Sequence, residues 1–317
     1  MKALIVDRRD AEITLNGQII SIAAGAERRD VPCTEVERLI VHSPARIDTS
    51  VLDRLWSQGA GVLILSGRRA EPTASFLGVP DGARRRRAPM RMRTDGEAGV
   101  SIARDLVLRT LAARGRALVD IASRRRGMAL DVLAFYERMA ELRAHLRRTR
   151  SLHCVRGVAG AASGAYLPVL ERAFDPAPGL RARRGGPPSD PVSACLHLGE
   201  TVLAFEASRQ ARFAGFEPAP GMLHAPAPGR DGLARDLIEP LLPRLDVMVW
   251  RCFAEETLQA EHCVQDADGQ CVLGEAGRAV LYQAMERHMA LWSRWLARTA
   301  RICARRLASG MEGGGEA

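Results

Sequence analysis

The sequence predicts an α+β chain, with a strand-rich N-terminal region containing one helix and an all-helical region after it. Two observations lead to this prediction. Short apolar runs broken by turn residues occupy the first part of the chain, up to about residue 80, which is typical of strands. From about Val100 the apolar residues recur at helical spacing, in long segments rich in alanine, leucine and arginine.

The strand-rich region begins with a predicted hairpin. Asn16-Gly17 lies between two apolar runs, and both residues tolerate the positive φ angles of a tight hairpin turn. One helix interrupts the strands, because Thr49 or Ser50 can cap a segment whose apolar residues fall on one helical face. We predict strands at 3–6, 13–15, 18–22, 39–41 and 62–65.

Charge and turn residues divide the chain into segments. We predict an N-terminal domain at 1–85, a basic linker at 86–98, a helical domain at 99–307 and a disordered tail at 308–317, which is rich in glycine and glutamate. The helices of the second domain are predicted at 101–122, 128–148, 191–213, 233–259 and 276–307.

The charge balance indicates a nucleic-acid partner. The chain has 46 basic against 37 acidic residues, a formal charge of +9, and Lys2 is its only lysine. The planar guanidinium of arginine matches phosphate geometry, which suits binding to DNA or RNA. A GC-rich genome also replaces lysine with arginine, but codon usage does not explain the net positive charge as easily.

Composition also excludes several classes of protein. No segment approaches the roughly 20 apolar residues of a membrane span, and the first residues lack the long apolar region of a signal peptide, so we expect a cytoplasmic protein without membrane contact. The seven cysteines are scattered without a C-x-x-C pair, which argues against a disulfide framework and a structural zinc site.

The segment with the most chemical potential is 221–240, GMLHAPAPGRDGLARDLIEP. Asp236 and Glu239 are three residues apart, so on a helix both carboxylates project from one face, where they and His224 could hold a divalent ion. Judged by spacing alone, the alternative is an ordinary solvated helix next to a polar loop histidine.

This segment resembles the signature of the CRISPR-associated protein one family, the integrase of CRISPR adaptation. Three further blocks are similar to that family in the same order. IDTSVL at 47–52 followed by GAGV at 59–62 resembles its N-terminal domain, and RGVAG at 156–160 with Tyr166 resembles its first catalytic block. DPVSACL at 190–196 resembles the helix that follows. The resemblance extends over nearly the whole chain.

The resemblance implies an N-terminal β-sandwich-like domain used for dimerisation, joined to an all-α, metal-dependent catalytic domain. It implies a homodimer that binds a small second CRISPR adaptation protein and double-stranded DNA, both the captured prespacer and the CRISPR repeat. In the family's reaction the 3′-hydroxyl of the captured fragment attacks a phosphodiester at the repeat, with Mg²⁺ or Mn²⁺ as the cofactor.

The resemblance also implies roles for particular residues. A glutamate, a histidine and a carboxylate hold the metal, and by motif position His224 is the histidine and Glu239 the last carboxylate, with Asp236 in support. The glutamate position is occupied by Ala159. A methyl group cannot ligate a hard cation, so we expect metal affinity and the joining activity to be weak or absent.

Ala159 has two possible origins. A single designed substitution would leave the rest of its block intact, as observed, whereas natural divergence is favoured by Glu200, which stands where the family tends to have an aromatic residue. The chain is accordingly either a weakened enzyme or an inactive DNA-binding scaffold. An unrelated helical nucleic-acid binder is the third alternative, if the resemblance is accidental.

Several residues outside the metal site are candidates for DNA contact. The arginines among them are equally typical of solvated turns and linkers, and the tyrosine of a packed core. The candidates are Arg68, Arg84, Arg85, Arg86, Arg87, Tyr166 and Arg235.

Overall fold

The computed structural model describes residues 2–65, 71–78, 96–174, 187–218, 220–224 and 231–312. The predicted DNA contacts Arg68 and Arg84–Arg87 lie outside these residues, as does most of the predicted linker. Among the described residues, no helix is both long and apolar enough to cross a membrane.

Two four-stranded sheets and one helix make up the N-terminal part. The strand orders are β1-β5-β7-β8 and β4-β3-β2-β6. All five predicted strands are present, together with β4, β6 and β8, which were not predicted because they are short or largely exposed and polar. The elements are β1 (Lys2–Val6), β2 (Ala11–Asn16), β3 (Ile19–Ala24), β4 (Glu27–Pro32), β5 (Val36–Val41), β6 (Ala45–Ile47), α1 (Thr49–Ser57), β7 (Gly61–Leu65) and β8 (Pro72–Leu77).

The hairpin predicted at residues 1–22 is confirmed at its Asn16-Gly17 turn and the two strands beside it, whereas β1 pairs with β5 in the other sheet. Strands β2 and β3 pair antiparallel, with Asn16 opposite Ile19, and Gly17 adopts a φ of 61° in the turn between them. The neighbouring strands β1, β5 and β7 are parallel, so both faces of their sheet need cover. In β5, Leu39 and Val41 pack against the other sheet and α1, whereas Ile40 packs against the helical domain.

Seven helices and one short hairpin form the rest of the described chain. The predicted fold class, a sandwich-like strand region followed by a helical domain, is confirmed by this arrangement. The elements are α2 (Glu97–Ala122), α3 (Ala129–Arg148), α4 (Leu152–Ala173), α5 (Pro191–Phe213), α6 (Gly232–Ile238), α7 (Leu242–Ala254), β9 (Cys263–Gln265), β10 (Cys271–Leu273) and α8 (Glu275–Glu312).

The helical domain departs from the prediction at several points. Helix α4 was not among the predicted helices, because its glycines lower helix propensity. The helix predicted at 233–259 is divided into α6 and α7, where Pro240 and Pro243 lie near the break. The β9-β10 hairpin was not predicted. Helix α2 begins inside the predicted linker, and α8 continues past Leu307 into the predicted tail.

A buried ionic network joins the two parts of the chain. Glu206 of α5 is fully buried and accepts from Arg209 Nε at 3.0 Å and from Arg38 Nη1 of β5 at 3.4 Å. Ser293 of α8 donates to the same carboxylate at 2.5 Å. Burial alone would raise the pKa of Glu206, but the two guanidiniums hold it below its usual range. The Glu206 carboxylate therefore links β5, α5 and α8.

Candidate functional site

The structure brings together the three positions implied as metal ligands. Ala159 of α4, His224 of the loop before α6 and Glu239 at the end of α6 line one cavity of about 220 Å³. Helix α2 forms the opposite wall with Thr110 and Arg114. Positions 159 and 239 are far apart in sequence, so only the packing of α4 and α6 against α2 gives them a common cavity.

The loop that carries His224 is held from two sides. Arg156 of α4 donates through Nε and Nη2 to the Met222 carbonyl oxygen, at 3.0 and 2.7 Å. At Gly221 the loop passes so close to α6 that a Cβ atom there would lie 2.5 Å from the Gly232 carbonyl carbon. The arginine of the RGVAG block and the first glycine of the GMLH block are thus both needed to position the histidine.

Asp236 is fully buried behind the histidine and does not line the cavity. Its carboxylate accepts from the backbone amides of Met222, Leu223 and His224, the last two at 3.0 and 3.1 Å. It also binds His224 Nδ1 at 2.8 Å. The expectation that Asp236 and Glu239 face one ion is therefore corrected: the backbone amides already occupy Asp236, and its role is to orient His224.

The contact with Asp236 determines which imidazole nitrogen is available. A carboxylate only accepts, so Nδ1 carries the proton and Nε2 of the neutral ring keeps its lone pair. Nε2 points toward Glu239, whose Oε1 lies 3.7 Å away. The histidine and the glutamate therefore present two adjacent donor groups to the cavity.

The pKa of His224 should lie above 6.5, mainly because of its hydrogen bond to Asp236, with the charge of Glu239 adding to the effect and burial and Arg235 opposing it. Since the folded-state pKa is raised, His224 stabilises the fold below pH 6.5, and this contribution is lost as the pH rises through the folded-state pKa. NMR titration of the histidine ring signals measures the folded-state pKa of His224, and the signal that is absent in His224→Gln is the one that belongs to this residue. We expect Asp236→Asn to lower that pKa; an unchanged value would contradict the assigned contact.

Arg114 was not predicted as a site residue. Its Nη2 atom lies 3.7 Å from Glu239 Oε2 and donates to Ser163 Oγ at 2.8 Å, and its guanidinium carbon is 5.4 Å from the centre of the Tyr166 ring. It follows Leu111 on an amphipathic helix with many arginines, so no sequence signal distinguishes it. Its place beside Glu239 depends on tertiary packing alone.

The residues present do not fit a three-ligand divalent metal site. His224 and Glu239 are two donors with one charge, and the third position is a methyl group. The guanidinium of Arg114 is next to Glu239, which among the described residues is the only carboxylate that lines the cavity. In the part of the chain that the structure describes, no three His, Cys, Asp or Glu side chains are grouped closely enough to hold a metal ion.

The predicted DNA contacts have different outcomes. Tyr166 is 2% exposed and donates to Asp246 Oδ2 at 2.8 Å, so it is a core residue and its prediction as a DNA contact is wrong. Arg235 is half-buried and lines a second cavity of about 550 Å³, which shares His224 and Glu239 with the first. Its contact with DNA stays a prediction.

Comparisons with known proteins agree with this arrangement. The family described as CRISPR associated protein Cas1 matches residues 4–287. "CRISPR-associated endonuclease Cas1 1" of Thermodesulfovibrio yellowstonii is 27% identical, covering 90% of this chain and 91% of the relative. Two solved structures share the fold at low identity. A casposase bound to integration product has a TM-score of 0.79 at 16% identity, covering 98% of this chain and 91% of that one.

The second solved structure is a Cas6-RT-Cas1–Cas2 complex, with a TM-score of 0.78 at 15% identity. The similarity covers 97% of this chain and 35% of that chain. The match to the family extends over both the strand-rich part and the helical domain that contains the cavity. The chain therefore belongs to the CRISPR-associated protein Cas1 family.

Proposed function

We propose that this chain is a DNA-binding subunit of CRISPR adaptation whose strand-joining step is weakened or absent. The observation that carries the proposal is Ala159, which lines the same cavity as His224 and Glu239 at the position where the family resemblance implies a glutamate. An integrase role is supported by family membership and by the shared fold of the casposase bound to integration product.

The joining reaction would place a DNA 3′-hydroxyl against a phosphodiester of the repeat. A divalent Mg²⁺ or Mn²⁺ is the cofactor expected of an intact site, where it stabilises charge on the reacting oxygens. In the described part of the chain the cavity offers His224 Nε2 and Glu239 alone as metal ligands, so we propose that its metal affinity is low. An inactive DNA-binding scaffold of the same fold is the second candidate, and Arg114 beside Glu239 favours it.

We further propose that the chain acts in the cytoplasm as a homodimer through its N-terminal domain, with a small second adaptation protein. The Cas6-RT-Cas1–Cas2 complex supports such a partner, since it pairs a chain of the same fold with a Cas2 protein. The formal charge of +9 supports double-stranded DNA as the ligand.

The test combines the purified chain, the small partner, a labelled DNA duplex with 3′-hydroxyl ends and a plasmid that carries a CRISPR repeat. We expect salt-sensitive binding of the duplex and little or no label joined to the plasmid in Mg²⁺ or Mn²⁺. The absence of DNA binding would overturn the proposed function. Abundant joined product would instead contradict the proposed loss of activity.

A further inference from the structure

The positive charge beside Glu239 comes from a side chain of the protein itself. Arg114 Nη2 is 3.7 Å from Glu239 Oε2, and the hydrogen bond to Ser163 holds it against α4. Only 11% of the Arg114 side chain is exposed, so little water screens its charge. Glu239 therefore has a fixed guanidinium, where the family resemblance implies a divalent ion.

The described lining of the cavity therefore carries more positive than negative charge. Of the residues that the structure describes, two guanidiniums, of Arg114 and Arg156, line the cavity against the single carboxylate of Glu239. Asp236 lies behind this lining, and its charge is met by three backbone amides and the His224 imidazole. A glutamate at 159 would remove the excess of guanidinium over carboxylate, so the alanine changes which kind of ion the cavity attracts.

We infer that the cavity binds a phosphate group of DNA directly, through Arg114 and Arg156, without a metal ion between protein and phosphate. The inference rests on the proposed function, because it takes DNA as the ligand. A guanidinium donates through several N–H groups in a plane, which matches phosphate oxygens. Arg114 and Ser163 line the larger cavity as well as the smaller one, so the Arg114 guanidinium can be reached from both.

The test measures the binding of a fluorescein-labelled DNA duplex by anisotropy, in EDTA and in Mg²⁺ at matched ionic strength. We expect the unaltered chain to bind equally in both. Arg114→Gln should weaken binding at least about tenfold, because it removes a charged hydrogen-bond donor. The matched control is Arg116→Gln, the same change on the same helix at an exposed residue that lines a different cavity, with an expected loss under about threefold.

Two further variants test the inference even if Arg114→Gln fails to fold. Arg114→Lys keeps the charge but loses the planar set of donors, so it should bind DNA more tightly than Arg114→Gln and less tightly than the unaltered chain. Ala159→Glu leaves Arg114 intact and should make binding weaker in EDTA than in Mg²⁺. If the unaltered chain binds no DNA, the proposed function itself fails. If it binds but loses affinity in EDTA, if Arg114→Gln and Arg116→Gln weaken binding equally, or if Ala159→Glu gains no dependence on Mg²⁺, only the present inference is overturned.

Discussion

Ala159→Glu should raise strand joining by at least about 100-fold over the unaltered chain, because it adds the third ligand to His224 and Glu239. The carboxylate would enter the cavity that both residues already line, with His224 held in the correct tautomer by Asp236. The measurement is the amount of labelled DNA joined to a repeat-bearing plasmid, in Mg²⁺, in Mn²⁺ and in EDTA.

The matched control is Ala161→Glu, which makes the same change on α4 at an exposed residue outside the cavity. Joining should appear with Ala159→Glu alone, and EDTA should abolish it. If Ala159→Glu binds DNA normally but joins none, the chain is a scaffold whose other residues have also diverged. Arg114 would then be the first residue to change in combination with it, since its guanidinium can compete with a metal ion for carboxylates.

Glu206→Ala should lower the free energy of unfolding by about 3 kcal/mol or more, because removal of one partner leaves buried charges poorly compensated. Arg38 and Arg209 are 1% and 6% exposed, and within the described ranges Glu206 is the only fully buried acid that both contact. Glu286 and Glu37 remain near them but are partly exposed, so they replace its charge incompletely. Urea unfolding followed by circular dichroism measures the loss.

Glu12→Ala provides the comparison, because Glu12 pairs with Arg46 on the surface, where the two side chains are 55% and 86% exposed. An exposed pair of this kind contributes roughly 0–1 kcal/mol. Equal losses for the two variants would show that the buried network stabilises the fold no more than an exposed ion pair does. Glu206 stabilises the fold above its unfolded pKa near 4.5, and the contribution is lost as the pH falls through the lower folded-state value.

The fold was predictable wherever local pattern determines it. The Asn16-Gly17 turn and the apolar runs of β1, β5 and β7 identified the strand region. Helical spacing identified α2, α3 and α5. The prediction failed where local signals are weak or contradictory, as in α4, whose glycines disfavour a helix that tertiary packing nevertheless stabilises, and in the short hairpin after α7.

The candidate site was predictable in part. Motif resemblance singled out Ala159, His224 and Glu239, and the structure places all three around one cavity. Residue spacing alone did not distinguish Asp236 from Glu239, because helical spacing places two carboxylates on one side without saying which is buried, whereas the resemblance already gave Asp236 only a supporting role. Only the path of the loop at Gly221 shows that backbone amides occupy Asp236.

By itself the sequence determined the division into a strand region and a helical domain and the excess of positive charge, since these are properties of residue type and spacing. The missing carboxylate at 159 was implied by the family resemblance. Tertiary structure alone decided that Tyr166 is buried and that Arg114 lies beside Glu239. The physical reason is that burial and charge pairing depend on which helices pack together, and contacts between distant segments leave no periodic trace in the chain.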